Sequence, residues 1–297
     1  MTRYHVTLTT PEAVARQLNT VNPDGSVPAV IQDAASGQYV NFWSYVTDLC
    51  HEASEYITQE TSRSFVPFKA DYDIVWDDVK YDIRRGRLPL GDDLLVPSSL
   101  AFGDLAISGT AYRVLPSSET PINALVLDST AMTGAVYEFG SAFTVSGIWG
   151  YVTNLSQAWT VMQSSINIAS SSTTSINVTI GTADNYEHLQ YLRCESEYMQ
   201  IVDIDTETDV LTVLRGVNGT TAATHGSAAL ERFNVKEDIR LAATRLTAYL
   251  YQKRTDVSGS IAFNDGSILL DALPLVVKST INRYKPMVFR STTGYRW

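Results

Sequence analysis

The sequence predicts an α+β protein: a helical framework, made of one long helix and a C-terminal helix pair, that carries inserted β-rich subdomains and ends in an extended C-terminal arm. Three observations predict it. Apolar residues recur at spacings of three and four near the start and again near the end of the 297-residue chain. Between these stretches lie short period-two runs separated by Gly, Pro, Asp and Ser. After Lys285 neither period persists.

In chain order, "TTPEAVARQLN" reads as a short helix, with Thr10 as N-cap, Pro11 at the first helical position, and Val14 and Leu18 four apart. With the turn-rich "TVNPDGSVP" it forms an N-terminal extension over residues 1–41. Phe42, Tyr45, Val46, Leu49, Ala53, Tyr56 and Ile57 then mark a long amphipathic helix. Its partners are "KEDIRLAATRLTAYLYQKR", where Ile239, Ala243, Leu246 and Leu250 share a face, and "DALPLVVKSTINRY", where Leu273, Val277, Ile281 and Tyr284 do. The expected helical core is therefore 42–72 with 236–285.

Two insertions are expected between them. The first, 73–155, contains "DYDIVWDDV", "YDIRRGRLPLGDDLLV", "AYRVLP", "NALVLD" and "AFTVSGIWGY". The second, 156–235, contains "SSINIASSSTTSINVTIGT", which reads as a hairpin with a serine-threonine tip. In the same insertion, "EYMQIVDIDTETDVLTVLRG" predicts strands near 198–204 and 210–215 joined by an acidic turn. Residues 286–297 are the arm.

A composition 44% hydrophobic excludes a disordered chain. No run of 18 apolar residues occurs and the opening lacks the plan of a signal peptide, so a soluble protein made in the cytoplasm, without a membrane partner, is expected. Cys50 and Cys194 fit no disulfide framework or zinc spacing and read as buried thiols. A net charge of −10 argues against a protein that grips nucleic acid over its whole surface. Charge is unevenly placed, however. After Asp271 there is no acidic residue, while Lys278, Arg283, Lys285, Arg290 and Arg296 are all cationic.

"VLRGVNGTTAATHG" is rich in glycine, but Gly219 is followed by Thr220 and Thr221 with no lysine, so a phosphate loop is not formed and a tight turn at Asn218-Gly219 is expected. "DIDTETD" spaces Asp203, Asp205, Glu207 and Asp209 like the start of a calcium loop. It has Thr208 where that loop needs glycine and Leu214 where it needs glutamate, so a solvated acidic face is expected. His51 and Glu55 lack the further ligands of a zincin, and no nucleophile elbow occurs. Asp77/Asp78 and Asp92/Asp93 are adjacent, hence on opposite faces of a strand. Arg84, Arg85 and Arg87 form a basic cluster suited to local ion pairs. No catalytic residue, metal ligand or cofactor site is expected, and the chain reads as a non-enzyme.

Taken in order, "TSRSF" after the long helix, "LPLGDDLLVPSSLAFGD", "AYRVLPSSETPINALVLD", "FTVSGIWGY" and the helix pair from 236 to 285 resemble the head-to-tail connector, or adaptor, proteins of tailed bacteriophages. The resemblance covers most of residues 42–285. "EYMQIVDIDTETDVLTVLRGVNGTTAATHGS" separately resembles a β module of phage neck and tail components. The N-terminal 40 residues and the serine-rich stretch near 170 depart from the compact adaptor.

This resemblance implies a structural virion protein of the neck: a homo-oligomeric ring, usually dodecameric, between the portal and a downstream neck or tail protein, with genomic DNA passing through its lumen. It also implies that the C-terminal arm docks on the portal. That casts Arg283, Lys285, Phe289, Arg290, Tyr295, Arg296 and Trp297 as portal-binding residues, aromatic anchors among arginines. Five tryptophans and sixteen tyrosines keep an alternative open, a β-rich tail or baseplate module that contacts carbohydrate or other tail proteins.

Overall fold

A computed structural model describes residues 6–18, 30–32, 39–75, 86–128, 131–135, 141–179, 181–253 and 273–285. It begins with helix α1 (Pro11–Leu18), a small ribbon of β1 (Val30–Gln32) and β2 (Tyr39–Asn41), and helix α2 (Phe42–Thr61). Six strands follow: β3 (Phe68–Val75), β4 (Arg87–Phe102), β5 (Leu105–Ile107), β6 (Tyr112–Leu115), β7 (Ile122–Leu127) and β8 (Ala142–Trp149). A second six are β9 (Trp159–Ile168), β10 (Ser175–Asn177), β11 (Tyr191–Cys194), β12 (Glu197–Asp205), β13 (Val210–Leu214) and β14 (His225–Phe233). Helices α3 (Glu237–Lys253) and α4 (Leu275–Tyr284) follow.

The helices form where the spacing predicts them. Thr10 Oγ1 accepts from Ala13 N, and Asn41 Oδ1 caps α2 at Trp43 and Ser44. α2 ends at Ser62 in the left-handed region, whose N–H returns to Gln59 O while Arg63 N returns to Thr58 O. The predicted apolar positions Ile239, Ala243, Leu246, Leu250, Leu273, Val277, Ile281 and Tyr284 are buried.

The expectation of a helical framework is nevertheless wrong. The protein is mostly β-sheet, with four α-helices among the described residues and more of those residues in strands than in helices. The physical reason lies in where the cores sit. One core, around Leu88, Leu125, Phe102, Phe143 and Trp149, belongs to the first sheet and its loops, the sheet being ordered β3-β8-β4-β7-β6 with β5 on β4. Another, around Ile168, Leu192, Met199, Leu211 and Leu230, belongs to the second sheet and its loops, the sheet being ordered β10-β13-β12-β11-β14-β9. Each sheet buries its own apolar surface. The helices share the remaining large core with the second sheet, which contributes Trp159, Tyr191, Tyr198 and Phe233 opposite Ala53, Ile57, Leu246 and Ile281.

A second correction concerns residues 164–182. The period-two runs are strands, but β9 pairs with β14 and β10 with β13, so they do not form a hairpin with each other. They are the two edges of one antiparallel sheet, joined through residues 169–174, where Thr173 N donates to Ser170 O in a turn. A tight link between opposite edges requires the sheet to curl. Alternation identifies a strand and its buried face but not its neighbour.

"FTVSGIWGY" is the crossing strand of the first sheet. β8 pairs with β3 in unbroken register from Phe68↔Trp149 to Val75↔Ala142, and with β4 on its other side. A Cβ on Gly147 would lie 2.5 Å from Val96 O and 2.7 Å from Leu94 Cδ1. Only glycine allows β4 to cross there.

Candidate functional site

The glycine-rich stretch after β13 forms a buried polar knot. The Arg215 guanidinium donates Nε–H to Glu197 Oε1 (2.6 Å), Nη2 to Glu197 Oε2 (2.7 Å) and Ala223 O (2.6 Å), and Nη1 to Thr173 O (2.8 Å) and Ser170 O (3.3 Å). All five guanidinium N–H groups are thereby used. Glu197 further accepts from Gly216 N, Ala223 N and His225 Nε2. The other His225 nitrogen lies 2.8 Å from Glu195 Oε2. Burial raises the cost of charge on Glu197, but Arg215, the Ala223 N–H and His225 outweigh it and hold the carboxyl at about 2.

The predicted turn is present, with Asn218 and Gly219 at φ of 53° and 77°. It also ties the two sheets together, because Asn218 O accepts from Lys69 N and its side chain donates to Pro67 O. The polar groups of Arg215 and Glu197 bond within the knot, which is a structural assignment.

The acidic turn is used in the same way. Asp205 Oδ1 accepts from Glu207 N and Thr208 N, while Asp209, itself at φ 54°, accepts from Gly181 N and Ala183 N. Asp203 instead faces His188 Nε2 at 3.6 Å. The four acids do not converge, and among the described residues no group of three or more His, Cys, Asp or Glu is placed to hold a metal. Cys50 and Cys194 are buried, and burial raises both thiols, Cys194 to about 11. Glu55 accepts from Gln59. Arg84, Arg85, Asp77 and Asp78 lie outside the described residues, and Arg87 is exposed on β4.

Of the predicted portal-binding residues, Arg283 and Lys285 are described; Phe289, Arg290, Tyr295, Arg296 and Trp297 lie outside the described residues. Arg283 reaches Asp238 at 3.4 Å and Lys285 reaches Glu60 at 2.8 Å. Both are exposed pairs of small energetic weight, under about 1 kcal/mol. The residue between them, Tyr284, is the better held one. Its hydroxyl donates to Asp238 Oδ2 at 2.6 Å, and its ring meets Phe65 and Tyr151 edge-on at 5.4 and 5.5 Å. Lys236 Nζ lies 5.0 Å from the same ring centroid.

Arg63 completes the cluster. It donates Nε–H to Tyr284 O at 2.8 Å, shares Nη1 between both oxygens of Asp93 at 2.6 and 2.5 Å, and lies 4.4 Å over the Tyr151 ring. Burial raises Asp93 and Arg63 opposes that rise. The backbone reinforces the meeting point, since Tyr151 N donates to Ser64 O and Gly150 N to Asp93 O. Gly150 has φ 136°, with Val66 O 3.0 Å from where a Cβ would sit.

Sequence reading did not find this cluster. Its members lie in five separate segments, "TSRSF", "LPLGDDLLVP", "FTVSGIWGY", the start of α3 and the last helix, and no periodicity links them. The available signal was an arginine two residues past a helix end. Comparison of the chain with protein-family models, with characterised proteins and with solved structures finds no match.

Proposed function

We propose that the chain is a structural virion protein, a head-to-tail adaptor that forms a homo-oligomeric ring between the portal and the neck or tail and attaches through its C-terminal arm. One observation carries this reading. Four of the five segments on which the resemblance rests meet at Tyr284, at the root of the arm, where Arg63, itself held by Asp93, takes its carbonyl and Tyr151 meets its ring. A terminal arm that only frayed would have no need of so firm a root. The charge distribution agrees: the arm is cationic and aromatic, while the acidic balance of the rest suits a channel that lets DNA phosphates slide.

The test is a pull-down with portal protein. Removal of residues 288–297 should leave folding and solubility intact and abolish portal capture, and Tyr295→Ala with Trp297→Ala should weaken it strongly. Co-purification of the truncated chain at the wild-type level would overturn the arm as anchor. A mass measurement giving only monomer, alone and with portal, would overturn the ring.

A further inference from the structure

A groove of about 640 Å³ lies between the first turns of α2 and the far half of β12. Trp43 and Asp48 come from α2, Val202, Asp203 and Ile204 from β12, and His188 from the loop before β11. Its shape has a local cause. The β12/β13 register shifts between Ile201 and Asp203, so Val202 is a bulged residue, and it is turned outward to 54% exposure. Next to it the Asp203 side chain is 74% exposed.

The charges in the groove do not balance. His188 Nδ1 lies 2.5 Å from Glu12 Oε1 and its Nε2 3.6 Å from Asp203, with its ring 5.2 Å from the Trp43 ring at 31°. Burial lowers the affinity of this imidazole for a proton, but Glu12 and Asp203 outweigh it and raise its pKa. Glu12 leaves a second buried oxygen without a hydrogen bond. The groove thus holds two carboxylates, Asp48 and Asp203, and one imidazole that is already paired with Glu12, and its lining contains no lysine or arginine. The N-terminus of α2 adds partial positive charge. That field fades within about one turn and amounts to roughly half a charge, and Asn41 already takes its first N–H groups. The carboxylates prevail.

An apolar wall of Val202, Ile204 and Trp43 beside exposed carboxylates matches one ligand chemistry. An arginine has a methylene stem to lie on the wall and a guanidinium to fork onto an acid. We propose that this groove is a docking site for an extended, arginine-bearing peptide segment of a partner protein, with Asp203 and Asp48 engaging guanidinium groups and Trp43 and Val202 covering the stem. The site is distinct from the C-terminal arm and does not depend on the adaptor reading.

The test uses the full chain and a fluorescein-labelled Arg-Gly-Arg-Gly-Arg peptide, capped at both ends, read by anisotropy. Asp48→Asn with Asp203→Asn should weaken binding roughly tenfold or more, and Trp43→Leu, which leaves charge unchanged, severalfold. A control pair on the exposed surface, Asp104→Asn with Glu119→Gln, removes the same charge and should leave binding unchanged. Circular dichroism checks that each variant is folded. Equal losses in the control pair would reveal diffuse attraction to an acidic protein and overturn the site. So would undiminished binding of the isosteric citrulline peptide, an unaffected Trp43→Leu variant, or displacement of the peptide by neutral oligosaccharides.

Discussion

The carboxylate of Glu197 and the guanidinium of Arg215 lie face to face, bonded at 2.6 and 2.7 Å, with side chains only 1% and 5% exposed. Arg215 also holds the carbonyls of Ser170 and Thr173 in the turn that joins the edge strands β9 and β10. Arg215→Lys keeps the charge but offers three donors where five are used. It should cost about 2–4 kcal/mol by urea unfolding. A change below about 0.5 kcal/mol would show that the knot is dispensable.

The same pair sets an acid limit. Glu197 is held at about 2 when folded, below its ordinary 4.5. A depressed carboxyl stabilises fully above the unfolded value and loses that contribution as pH falls towards the folded one. Melting temperature should therefore fall between about pH 5 and pH 2, and Glu197→Gln, less stable throughout, should fall less steeply over that interval. Parallel curves for the two proteins would contradict the assignment.

Gly147 separates space from flexibility as reasons for a glycine. Gly147→Ala places a methyl 2.5 Å from Val96 O, whereas Gly91→Ala on the same sheet meets nothing within 4 Å. The first should be insoluble or destabilised by about 3 kcal/mol or more, the second near neutral. Expression and thermal melts of the two variants decide it.

Arg63→Ala removes the donor to Tyr284 O and leaves the partly buried Asp93 without its cation. The expected loss is about 2–3 kcal/mol, with α4 released first in hydrogen exchange. Uniform exchange over α4 in wild type and variant would show that the helix is held from its apolar face alone.

Local features were legible in the sequence because their causes are local. The α1 cap at Thr10, the buried faces of α3 and α4, and the Asn218-Gly219 turn follow from spacing and backbone preference. What was not legible depended on partners far along the chain. The runs around Ile166 and Ile176 looked like a hairpin because both alternate, yet they share a core from opposite edges. Period and propensity also could not rank the elements. The helices are long and regular, but two of the three large cores contain none of their residues. The candidate groove was missed for a similar reason, since a bulge at Val202 brings Asp203 beside a histidine and a tryptophan from other elements.

Tyr284 has a mechanical meaning as well as a chemical one. A pull on the chain beyond Lys285 would enter the fold at this residue and divide at once. One path runs through the carbonyl to Arg63 and Asp93 on β4, another through the hydroxyl to Asp238 at the start of α3, and a third through the ring to Phe65 and Tyr151. These bonds would be loaded together rather than one after another. A joint built in parallel yields only at the summed strength of its members, so tension on the arm would be passed to the first sheet and to α3 before α4 could peel away.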